Sequence, residues 1–156
     1  MKKWDIFERL FTSVLAMLQP FVIYLTIGDQ FAISHSWNTP LQPLFIITNA
    51  LVSFFFFKLE KWRTPALLLL LLTAFPVCDY FWLHNIFAIL FFIFSGISLW
   101  SIKRMRYYFF IFLCSLIFIF NGLFWSETFG IITLSIYHLH LLIYRYLLNN
   151  KKTNGY

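Results

Sequence analysis

Apolar residues along this chain gather in long runs rather than in the alternation of half-buried strands. Six runs stand out: Phe7 to Ile27, Leu41 to Phe57, Thr64 to Val77, Phe81 to Ser101, Tyr107 to Gly122, and Ser126 to Leu148. A helix needs roughly 20 predominantly apolar residues to cross a bilayer, so the pattern predicts six transmembrane helices. Six crossings take roughly 120 residues, which leaves no room for a soluble domain in a chain of 156. An alternative merges or re-enters the third and fourth runs around Pro76 to Tyr80. The third run is the shortest. Thr64 can cap it, and Pro65 suits its first position, where a missing N–H costs nothing. Pro76 marks its end. Pro20 lies mid-run in the first helix and predicts a structural bend, because it removes one backbone donor. Gln19 beside it offers local hydrogen bonds.

Composition agrees. Hydrophobic residues make up 61% of the chain and charged residues 12%, with 22 phenylalanines. Soluble domains are about a quarter charged, and disorder requires low hydrophobicity. The expected architecture is therefore an all-α integral membrane bundle of six helices, one domain over residues 1–148. A polar basic tail follows over residues 149–156.

Charge placement orients it. The basic residues form four groups: Lys2, Lys3 and Arg9; Lys58, Lys61 and Arg63; Lys103, Arg104 and Arg106; Arg145, Lys151 and Lys152. All fall on one side of the six-helix topology. Cytoplasmic loops carry the Lys/Arg excess, so both termini are expected in the cytoplasm. Asp29, Asp79 and Glu127 fall on the opposite, outer side. The positive charge thus reads as orientation and attraction to anionic lipid heads, not as nucleic-acid binding. Trp4, Trp62 and Trp100 flank the inner loops, and Trp37, Trp82 and Trp125 the outer ones, as in an interfacial aromatic belt. Met1-Lys2-Lys3 before an apolar run also has the look of a signal peptide. Gln19-Pro20 interrupts that run and no small-x-small site follows, so an uncleaved first helix is preferred. Abundant Phe, Ile, Tyr, Asn and Lys matches A/T-rich codons, which points to a low-GC bacterium and its plasma (inner) membrane.

Polar residues inside a bilayer mark packing contacts or sites. The outer loops bring His35, Asp79, His84 and Glu127 to one depth. Two imidazoles and two carboxylates form an acceptable first shell for zinc, and such a metal could polarise a lipid ester or amide carbonyl. The simpler reading is a polar clamp of loop groups. On helices, Ser126, Gly130, Thr133, Tyr137, His140 and Tyr144 form one stripe of the last span. His84, Ala88, Ser95 and Ser98 form another in the fourth. Both are expected to face the bundle interior as close helix contacts. His138 and His140 are about 200 degrees apart on a helix, so they do not share one ion. Cys78 and Cys114 differ in depth, and free apolar cysteines are expected. No Gly-rich phosphate loop, nucleophile elbow or His-Glu-x-x-His motif is present.

Several short motifs carry a resemblance. Ile33-Ser34 with Thr39 and Pro40 before an apolar helix, Leu83-His84-Asn85-x-x-Ala88 with Phe91-Phe92, Ala74-Phe75-Pro76, and Phe124-Trp125-Ser126-Glu127 resemble the DRAM/Frag/Sfk-type six-span membrane proteins and bacterial membrane proteins of the same plan. The resemblance runs over roughly residues 1–148. It implies six helices, a role around membrane lipids, and Ser34, His84 and Glu127 as the positions carried over. Gln42 stands where the bacterial pattern tends to have Arg. A looser likeness is to alkaline ceramidase-like membrane hydrolases, whose last helix carries His-x-x-x-His where this chain has His138-Leu139-His140.

The expected function is that of a small multi-pass membrane protein, non-enzymatic and associated with lipids or with a protein partner in the bilayer. The alternative is a metal-dependent lipid hydrolase with an outward-facing site. The candidate site residues are Ser34, His35, Asp79, His84, Asn85 and Glu127. Zinc, if bound, would be held by His35, Asp79, His84 and Glu127.

Overall fold

The computed structural model describes residues 3–28 and 30–154, with side chains over 6–28 and 30–146. Asp29 and the side chains of Lys2, Lys3, Trp4, Lys151 and Lys152, all invoked above, lie outside the described residues. The described chain is all-helical and contains no strand. Its α-helices are α1 (Lys3–Ile27), α2 (Gln42–Phe57), α3 (Arg63–Ala74), α4 (Phe81–Trp100), α5 (Tyr107–Cys114) and α6 (Leu123–Asn154). Short 3-10 segments connect them at Ile33–Asn38, Glu60–Trp62, Lys103–Met105 and Ser115–Asn121.

Each helix packs on the next in sequence, and α6 returns to pack on α1. The six helices therefore close into a ring. Runs of Leu, Ile and Phe are apolar on every face, so each helix can bury one side against its neighbours and leave another apolar side outward. Trp62, Leu99, Met105, Tyr108, Leu134 and Tyr137 belong to the main core cluster. The outward faces carry large hydrophobics along the helices, and Ile117 and Phe120 are 65% and 94% exposed. Two helical stretches, Ile6–Ile27 and Phe81–Trp100, are long and apolar enough to cross a membrane.

Several local expectations change. α3 begins at Arg63 with Trp62 as its cap residue, and no side chain caps it. Thr64 is thus inside the helix, and Pro65 occupies the third position, still within the first turn whose N–H groups lack partners. Gln19 does not bond locally: its Nε2 is buried without a partner. The fifth apolar run is half α-helix and half 3-10, and the change comes at Ser115, whose hydroxyl donates to the Phe112 carbonyl at 2.6 Å. Trp62 leaves the expected interfacial belt. It is 2% exposed and lies under Phe56, Tyr137 and His138. Trp82 and Trp100 remain exposed.

Two glycines shape the turns at the start of the first connection and at the start of α6. Gly28 ends α1 at φ +79, with its N–H donating to the Tyr24 carbonyl at 2.9 Å, the left-handed cap that glycine adopts without strain. Gly122 opens α6 at φ 114 and ψ 147, a region nearly confined to glycine.

The side-chain bonds sort the connections into two ends. At one, Lys58 Nζ donates to Glu8 Oε1 at 2.6 Å and Lys61 Nζ to the Ser101 carbonyl at 3.3 Å. The Ser98 hydroxyl donates to the Lys61 carbonyl at 2.7 Å, and Arg104 donates to the Tyr144 hydroxyl at 2.8 Å. At the other, the Phe124 N–H donates to the Phe31 carbonyl at 3.0 Å and the Ile33 N–H donates to Glu127 Oε2 at 2.7 Å. The basic connections thus share one end of the ring, and the connections without Lys or Arg share the other.

Candidate functional site

A cavity lies inside the ring of helices. The cavity is narrow, with a volume of about 70 Å³, and is partly open to the outside. Its wall comes from α1, α2, α3, α4 and α6 together with the 3-10 segment Ile33–Asn38; α5 contributes nothing. Most of the wall is apolar: Ala16, Phe45, Val52, Leu72, Phe91 and Leu134 are representative. Polar groups sit at intervals between them.

On α6 the wall is Glu127, Ile131, Leu134, Ser135 and His138. Their spacings of 4, 3, 1 and 3 mark one helical face. Of the expected inward stripe, Ser126, Gly130, Thr133 and Tyr137 are buried but turn toward the neighbouring helices rather than the cavity, Tyr144 is half-buried, and His140 is exposed. A rotation of one residue, about 100 degrees, separates the two faces. Gly130 is a close approach of the predicted kind: a Cβ there would meet Phe92 Cε1 of α4 at 2.9 Å.

Ser34, His84 and Glu127 all line the cavity, and each lies close to one of the connections that carry no Lys or Arg. These are the three positions singled out by the resemblance. Ser34 arrives because the loop after α1 folds inward as a 3-10 turn, held by the bond from Ile33 to Glu127. His84 is 3% exposed, and its Nδ1 lies 2.7 Å from the Phe75 carbonyl oxygen. A carbonyl can only accept, so Nδ1 carries the proton; Nε2 is buried without a partner.

The remaining predicted residues are elsewhere. Asn85 points off the cavity and donates to the Phe81 carbonyl at 2.9 Å. His35 is half-buried against the Phe31 ring and is not in the lining. Asp79 is exposed on the turn before α4, where its N–H donates to the Pro76 carbonyl. Among the described residues no three His, Cys, Asp or Glu side chains are grouped to hold a metal ion. The expected zinc set of His35, Asp79, His84 and Glu127 is therefore not assembled, because only His84 and Glu127 turn inward and each already has one heteroatom bonded to backbone.

The deeper half of the wall was weighted too lightly by the sequence. Gln19 is 2% exposed and His138 is 4% exposed, and the Nε2 atom of each has no partner. His138 sits 11 residues beyond Glu127, roughly 16 Å along the helix. Phe56 and Trp62 surround its ring at centroid distances of 4.6 and 4.5 Å. His140 turns the opposite way, as the spacing requires. It is exposed, with Tyr107 and Tyr108 hydroxyls 2.9 and 3.1 Å from its Nδ1. A hint of the deep site was present in the sequence, since an amide and an imidazole inside apolar runs are costly unless they meet a partner.

Buried polar atoms are nearly always hydrogen-bonded. Here the Nε2 atoms of Gln19, His84 and His138 lack a protein partner and line one cavity. A wall of this kind, mainly apolar with a few separated polar atoms, has the character of a small-molecule site. No family model matches the chain, and no curated protein or solved structure does.

Proposed function

We propose that this chain is a multi-pass membrane protein of six crossings, with both termini cytoplasmic, that holds a lipophilic molecule in its central cavity. The residence is a bacterial plasma membrane and the role is binding rather than bond cleavage. The observation that carries the reading is the set of three buried, unpartnered nitrogens along one largely apolar cavity. The apolar outward faces support the membrane setting, since contiguous exposed apolar surface marks a membrane or protein contact. The segregation of basic connections at one end supports the orientation. The metal-dependent hydrolase gains no support, because its ligands are dispersed.

The test is photolabelling of the full chain in vesicles with a single-chain lipid bearing a mid-chain diazirine. Saturable adducts on cavity residues such as Ala16, Phe91 or Leu134 are expected, beside non-saturable adducts on outward residues such as Ile117 and Phe120. Ala88→Phe, which fills the cavity, is expected to remove the first set and leave the second. Adducts confined to outward residues in the unaltered chain would overturn the reading.

A further inference from the structure

The outer end of the cavity has a definite hydrogen-bonding polarity. His84 commits its Nδ1 proton to the Phe75 carbonyl. In the neutral ring, Nε2 then offers only a lone pair. Glu127 uses one carboxylate oxygen to accept the Ile33 N–H. Its other oxygen can accept from a ligand, and beside a bound cation the ionised carboxylate has no proton to donate. The Ser34 hydroxyl lines the same end and can accept as well as donate. Among the described residues no lysine or arginine is in the cavity wall. The place is therefore rich in acceptors and lacks a cation.

We propose that the occupant of the cavity is a lipophilic amine, whose ammonium group lies among Ser34, His84 and Glu127 and whose apolar body extends toward His138. This rests on the binding function proposed above and specifies its ligand class. A primary ammonium carries three donors, and the outer end offers a hydroxyl, an imidazole lone pair and a carboxylate. Its charge balances Glu127 in a setting where an unpaired charge is expensive. A fatty carboxylate would bring a second anion beside Glu127. A phospholipid amine would bring a phosphate for which the wall has no cation, so the free amine is the favoured source over the headgroup.

The experiment uses three diazirine probes of equal chain length that differ only in the head: primary amine, alcohol and carboxylate. The full chain is labelled in phosphatidylglycerol vesicles. The amine is expected to label cavity residues saturably at a concentration at least about tenfold below the carboxylate, the scale of one charge-assisted hydrogen bond. The alcohol is expected in between. Glu127→Gln keeps an acceptor for the Ile33 N–H and removes the charge, so it should weaken amine labelling about tenfold and spare the alcohol. His84→Asn keeps a donor for the Phe75 carbonyl and removes Nε2, and should weaken both amine and alcohol. Adding phosphatidylethanolamine to the vesicles separates the sources: unchanged amine labelling supports the free amine, and displacement assigns the amine to a headgroup. Equal or stronger cavity labelling by the carboxylate overturns the ligand class while leaving a lipophile-binding cavity intact. Absence of cavity labelling by all three overturns the binding function itself.

Discussion

Glu127 on α6 accepts the backbone N–H of Ile33 at 2.7 Å, joining residues 94 positions apart in the chain. This bond, with the Phe124 N–H to the Phe31 carbonyl at 3.0 Å, fastens the loop after α1 over the start of the last helix. It also sets Ser34 at the cavity, since Ser34 follows the residue that is held. Replacing Glu127 by Ala leaves a backbone donor without its partner, at a cost of about 1–3 kcal/mol. Glu127→Gln retains an acceptor and should cost less. Thermal unfolding in detergent is expected to rank unaltered chain, Gln and Ala in descending order. An Ala variant as stable as the unaltered chain would show that the loop is held by other contacts.

Gly130 faces Phe92, and an added Cβ would come within 2.9 Å of the ring. That ring is itself stacked on Phe112 at 5.8 Å between centroids. Gly130→Ala is therefore expected to destabilise by about 1–3 kcal/mol, the range for overpacking a filled interior. Adding Phe92→Leu should recover much of the loss. Paired melting curves of the single and double variants check this, and additive losses would place the strain elsewhere.

Gln19 offers the opposite case. Its buried Nε2 has no partner, so the amide contributes no hydrogen bond through that atom to the fold. Gln19→Leu is close in size and removes the unpaired polar group. Its apparent melting temperature should equal or exceed that of the unaltered chain when the cavity carries no added ligand. A marked fall would mean that the amide is bonded within the folded protein.

The two native cysteines report orientation. Cys78 is exposed on the turn between α3 and α4, and Cys114 is exposed in the fifth apolar segment. The proposed topology puts Cys78 at the outer surface and Cys114 within the bilayer. A membrane-impermeant maleimide added to intact spheroplasts should label Cys78 in the Cys114→Ser variant and give no signal with Cys78→Ser. Labelling of Cys78 only after permeabilisation would reverse the orientation.

Much of this protein was readable from residue order alone. The helices at 42–57 and 81–100 fall within a residue of the apolar runs that predict them, because a helix of Leu, Ile and Phe is limited by the first polar or glycine-rich break on each side. The grouping of Lys and Arg into alternate connections is likewise local information. It anticipates which loops meet, as the bonds of Lys58 to Glu8 and Lys61 to Ser101 display. Ser34, His84 and Glu127 stand in the short motifs of the sequence and line the cavity.

The choice among polar residues of equal apparent merit came from packing. His35 and His84 look alike in the outer loops, yet only His84 enters the wall, because it lies on the inward face of α4 while His35 lies against Phe31. His138 and Gln19 belong to the wall because α6 and α1 turn those faces into the ring. Trp62 is buried although its position beside a basic loop predicts an interfacial ring, because the Glu60–Trp62 turn places it under His138 and Tyr137. Sequence periodicity specifies which residues share a helix face. When helices are apolar all round, it does not specify which face turns inward; that is settled by the mutual packing of six helices around a common axis.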